Sequence, residues 1–136
     1  SLPIRLAIYS KALSELLHIQ LGRVHGRVRA VGSHGVSEEY QFVVGPEHEP
    51  AVRTIAARYQ LQATYADGLD NLNMDSPGDG KVRYIVFDLG RYGYSQIFRA
   101  FAAGSHPRVR MAFFCPQSQM VITEHKIFPP CLLSQQ

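Results

Sequence analysis

Between two glycine-bearing stretches runs Lys81 to Asp88, carrying Val82, Tyr84, Ile85, Val86 and Phe87. This β-branched and aromatic run is the strongest strand signal in the chain, and it demands a sheet with a well-covered apolar face. Other segments supply that sheet. Residues 23–31 alternate, with Val24, Val28 and Ala30 on one side and Arg23, His25, Arg27 and Arg29 on the other. This spacing predicts a half-buried strand. Gly32-Ser33-His34-Gly35 is turn chemistry, and Glu38 to Val44 reads as the returning strand of a hairpin. Residues 61–66 suggest a short strand. Arg108 to Cys115 alternates again, and a last strand is expected near 119–125.

Helices are expected in three places. In the first twenty residues, Leu2, Leu6, Tyr9, Leu13 and Leu16 recur at helical spacing. Residues 10–20 are read as helix, and 2–9 fit either helix or strand. Pro50 suits the first turn of a second helix, whose apolar stripe is Val52, Ile55, Ala56 and Tyr59. Ser95 can cap a third, with Ile97, Phe98 and Phe101 inward and Gly104 and Pro107 at its end. Strands thus fall in pairs between helices, without strict alternation. The expected fold class is α+β: one domain over 1–136, possessing a mostly antiparallel sheet of about five to six strands with two to three helices on one face. Residues 127–136, with Pro129 and Pro130, form an extended apolar tail that packs on its own domain or on another subunit.

The chain has 136 residues, enough for a core without disulfides or metals. Its two cysteines, Cys115 and Cys131, are too few for a disulfide scaffold, so an intracellular, cytoplasmic setting is expected. No apolar run approaches the ~20 residues of a membrane span. Ser1 in place of methionine suggests a domain of a larger protein.

Charged residues are 18% of the chain and the formal net charge is +3. Arg23, Arg27 and Arg29 share a side of one expected strand, Lys81 and Arg83 of another, and Arg108 and Arg110 of a third. Were these strands neighbours, they would form a cationic platform for a phosphate backbone, with Tyr92, Tyr94 and Phe114 available for stacking. The leading expectation is therefore a non-catalytic binding domain contacting DNA, RNA or another polyanion. Against it, an antiparallel sheet needs a polar outer face, and the hairpin would set Glu38 or Glu39 opposite Arg29. The low charge and apolar tail support an alternative: an assembly domain meeting an acidic protein or a second copy of itself.

A second alternative is an enzyme site at Asp88, which ends a buried strand just before Gly90 and Gly93. Turn formation and capping are its commoner roles. No Walker lysine, dinucleotide fingerprint or Gly-x-Ser-x-Gly elbow accompanies it. The acidic stretch Asp67, Asp70, Asp75 and Asp79 fails the EF-hand spacing. His106, Cys115, His125 and Cys131 are zinc-competent residue types without zinc-site spacing. No cofactor, metal or catalytic residue is assigned from sequence. The platform reading predicts oligonucleotide binding that weakens several-fold per doubling of salt in fluorescence anisotropy. Charge reversal at Arg27 and Arg110 should weaken it whatever the nucleotide sequence.

Overall fold

A computed structural model describes residues 37–101 and 107–130, together with Leu13, Leu16, Leu17, Ile19, Arg29 and Ala30. In chain order the elements are β1 (Arg29–Ala30), β2 (Ser37–Val43), a 3-10 turn (Pro46–His48), α1 (Glu49–Arg58), β3 (Gln62–Tyr65), a second 3-10 turn (Leu69–Asn71), β4 (Lys81–Asp88), α2 (Tyr94–Ala100), β5 (Val109–Cys115), β6 (Met120–Ile122) and β7 (Lys126–Phe128). The described strands form one sheet in the order β1-β7-β6-β5-β4-β2-β3.

The protein is α+β, but its sheet is mixed, which corrects the mostly antiparallel expectation. β3, β2, β4 and β5 are mutually parallel. Only β5, β6 and β7 form an antiparallel meander, and β1 joins its edge parallel to β7. Each of α1 and α2 carries the chain back to the starting end of the sheet, as parallel neighbours require. Among the described residues the expected hairpin between 23–31 and 38–44 is not seen: Arg29 and Ala30 pair with β7 instead, and 23–28 and 31 lie outside the described residues. Arg29 aligns with Lys126, while Glu39 aligns with Gln62 and Arg83.

The helices lie on opposite faces rather than one. On the first face, Ile97, Phe98 and Phe101, from α2 and its C-terminal cap, pack with Val43, Ile85, Phe87, Met111 and Phe113. On the second, Val52, Ile55 and Ala56 of α1 pack with Phe42, Val86, Ala112 and Phe114. Handedness accounts for this. The step β2–α1–β3 extends the sheet one way and β4–α2–β5 the other, so crossovers of the same right-handed sense land on opposite faces. Coverage of both faces also explains why β4 reads as a continuous apolar run. The alternation in β5 does not mark one solvent face, since Val109, Met111 and Phe113 are buried on one side and Ala112 and Phe114 on the other.

Near the amino terminus the described residues Leu13, Leu16, Leu17 and Ile19 are helical. Ile19 is buried and Leu16 packs against the α2-side core, whereas Leu13, expected inward, is exposed. The third helix begins at Tyr94, and the cap contact comes from Gln96, whose Oε1 accepts the Gly93 N–H at 2.9 Å, not from Ser95. Gly104 and residues 131–136 lie outside the described residues. No helix among the described residues is long and apolar enough to cross a membrane.

The β6–β7 arm curls over the α1 face. The Phe128 ring meets Tyr40 edge-on at 5.5 Å, and Tyr59 donates its hydroxyl to the Pro129 carbonyl at 3.1 Å. The first part of the expected tail thus packs on its own domain. Beneath it sits a buried polar network. Lys126 Nζ meets Glu38 Oε1 at 2.5 Å, and Arg110 Nε meets Glu124 Oε1 at 2.8 Å. Tyr40 donates its hydroxyl to Glu38, and Tyr84 donates to Glu124 Oε1 at 3.3 Å.

Burial raises the pKa of both phenols, helped by Glu38 at Tyr40 and by the Glu124 charge at Tyr84. An unfolded phenol ionises near 10.0, while these two stay neutral above that value in the folded chain. Their contribution to stability is therefore full below pH 10 and is lost as pH climbs beyond it. In an alkaline titration followed by phenolate absorbance, Tyr40 and Tyr84 should ionise only as the fold is lost. The denaturation midpoint should fall progressively above pH 10, and Tyr40→Phe should reduce that slope.

Candidate functional site at the strand switch point

Strand order reverses between β2 and β4, so the chain leaves their carboxyl ends in opposite directions. In open α/β sheets such a crevice is the preferred ligand site. Asp88, the last residue of β4, stands there with no solvent exposure. Its Oδ2 accepts the Gly45 N–H at 3.0 Å and meets His48 Nδ1 at 2.6 Å, and its Oδ1 accepts the Gly90 N–H at 2.8 Å. Gly45 follows β2, so the parallel pairing of Val43 with Phe87 delivers donor and acceptor to the same spot. Asp88 is thus a capping residue and half of a histidine–carboxylate pair at once.

His48 is placed by the short turn that joins β2 to α1. Pro46 opens that turn, His48 N–H donates to the Gly45 carbonyl at 2.9 Å, and Pro50 lies in the first turn of the helix beyond. The imidazole lies tilted against Phe114, with ring centroids 5.7 Å apart, and its side chain keeps 25% exposure. An ionised carboxylate only accepts, so Nδ1 is the donor in this contact, and in the neutral ring Nε2 keeps the lone pair. Nε2 makes no hydrogen bond among the described residues. Glu47 completes the group, its Oε1 3.8 Å from His48 Nδ1.

Gly90 permits this arrangement. A Cβ there would fall 2.7 Å from Pro116 Cγ and 3.0 Å from His48 Cε1. Only a residue without a side chain lets the turn after β4 pass so close to the imidazole and the loop after β5.

Of the residues expected to make a basic platform, the described ones are not brought to one face. Lys81 and Arg83 lie on the α2 face of β4, held by Glu39 at 3.4 and 3.3 Å. Arg83 also donates to the Asp75 carbonyl at 2.6 Å. Arg110 aligns with Tyr84 on the α1 face and meets Glu124. Arg108 is exposed, with Nη1 3.5 Å from the Lys81 carbonyl. Arg29 belongs to the opposite end of the sheet, with β7 and β6 between its strand and β5. Arg23 and Arg27 lie outside the described residues. For the zinc-competent types, Cys115 packs against the α2-side core and His125 is 70% exposed, while His106 and Cys131 are outside the described residues.

Sequence reading offered Asp88 and the Gly90 turn only as a second alternative, and it did not single out His48 or Glu47 as partners. They sit among prolines and glutamates that read only as a helix start, and nothing local shows that they face a residue forty positions on. Comparison with protein-family models, curated proteins and solved structures finds no match.

Gly90→Ala should therefore disturb the site directly. We expect a loss of about 1–3 kcal/mol in denaturant unfolding, the usual cost of overpacking. Gly68→Ala is the control, because a Cβ there meets nothing within 4 Å; its midpoint should stay close to the parent value.

Proposed function

We propose that the protein is a small acid–base enzyme, a hydrolase, that works at the carboxyl ends of β2, β4 and β5. The observation that supports this reading is the 2.6 Å contact between the buried Asp88 carboxylate and His48 Nδ1, with Nε2 left unbonded. Asp88 fixes the ring orientation and the tautomer, and His48 Nε2 accepts a proton from a bound water. The water attacks the substrate, and the imidazolium returns the proton to the leaving group. No serine or cysteine is hydrogen-bonded to His48 among the described residues, so direct water attack is preferred to a covalent intermediate. The reading takes precedence over polyanion binding because Lys81 and Arg83 share the Glu39 carboxylate and face away from Arg110.

The test is turnover of chromogenic ester, phosphoester and amide reporters by the full chain. His48→Gln should lower the responsive rate by roughly 10²–10⁴-fold, the usual worth of a general base. Asp88→Asn should lower it through the wrong tautomer. A rate unchanged in His48→Gln, or no turnover on any reporter, overturns the proposal.

A further inference from the structure

We infer that the same cleft takes a divalent transition-metal ion of the zinc type, held by Glu47, His48 and Asp88, and that the ion switches the histidine off as a base. This rests on the reading of the cleft as the working site. One ligand atom from each residue lies within 4.8 Å of the other two. In detail, Nδ1 of His48 is 2.6 Å from Asp88 Oδ2 and 3.8 Å from Glu47 Oε1. Metal–ligand bonds of 2.0–2.1 Å at tetrahedral angles put neighbouring donors about 3.3 Å apart. From those values the His48–Asp88 separation must open by about 0.7 Å and the His48–Glu47 separation close by about 0.5 Å, while the exposed Glu47 side chain is free to swing toward Asp88. An imidazole with two carboxylates is a donor set for a borderline metal rather than for calcium.

Charge points the same way. Asp88 is fully buried, and neither it nor Glu47 has a lysine or arginine within ion-pair distance among the described residues. Glu47 is folded back toward the cleft: a Cβ on Gly45 would lie 2.6 Å from its Oε1. Two carboxylates thus converge on one imidazole with no fixed cation between them, and a divalent ion there gains from both.

The proton balance defines the switch. In the neutral ring the proton sits on Nδ1 and the lone pair on Nε2. The metal takes the Nδ1 lone pair, and the displaced proton moves through solvent to Nε2. His48 releases no net proton, nothing is oxidised or reduced, and Nε2 becomes a donor that can no longer accept a proton from water. Asp88 changes from hydrogen-bond acceptor to metal ligand.

The experiment is a zinc chloride titration of the ¹⁵N-labelled full chain, followed by the ring-nitrogen shifts of His48 in long-range ¹H–¹⁵N spectra. We expect the tautomer to invert at micromolar zinc and to recover on adding a chelator. Glu47→Gln should weaken the response on the order of tenfold or more, and Asp88→Asn should abolish it. The exposed Glu47 variant keeps the test decisive should Asp88→Asn fail to fold. A proton retained on Nδ1 at millimolar zinc, or equal affinity in Glu47→Gln, overturns the inference. If reporter turnover still depends on His48 in that case, the acid–base reading stands alone. If zinc inverts the tautomer but no reporter turns over, the metal site stands and the acid–base reading falls.

Discussion

The parallel pairing of β2 with β4 is the constraint on which the rest of this structure depends. It runs from Ser37 against Lys81 to Val43 against Phe87, between segments separated by a helix, a strand and a long loop. Closing so large a loop costs chain entropy before any contact rewards it. Burial on both sides supplies the reward. Phe42 and Val86 enter the α1-side core, and Val43, Ile85 and Phe87 enter the α2-side core. Because the strands are parallel, both carboxyl ends emerge together. There the unpaired N–H of Gly45 and the carboxylate of Asp88 satisfy each other at 3.0 Å.

That junction explains why a charged side chain sits in a solvent-free position. A buried carboxylate is tolerable only with donors around it. Asp88 receives two backbone N–H groups and the imidazole Nδ1. The backbone donors come from the ends of two strand–turn units, so the carboxylate stitches the turns after β2 and β4. The imidazole is the one partner that a stitch alone does not require.

The other end of the sheet solves the same problem with paired charges. The curled β6–β7 arm brings Lys126 to Glu38, a pair 88 positions apart, and Glu124 to Arg110. Removing one partner of a buried pair costs far more than the pair contributes. The loop between β3 and β4 is tied down separately: Gln41 Nε2 donates to the Asn73 carbonyl at 3.1 Å, and Asn73 N–H donates to Gln41 Oε1 at 2.8 Å.

Local chemistry alone determined much of the inventory. Lys81–Asp88 is a strand because its β-branched and aromatic residues admit little else. Val52, Ile55 and Ala56 form a helical stripe because their spacing matches 3.6 residues per turn. Asp88 stood out because a carboxylate ending an apolar strand before glycines is a local pattern. What tertiary structure alone decided was which strands adjoin, and in which sense. Alternation at 108–115 is the same whether one face meets water or both meet helices, so Arg110 could not be told from a solvent-facing residue. Strand direction depends on where a crossover lands, which no local window contains. The partnership of His48 with Asp88 is of this second kind: it exists because two parallel strands end side by side, and neither residue's neighbours in sequence record that fact.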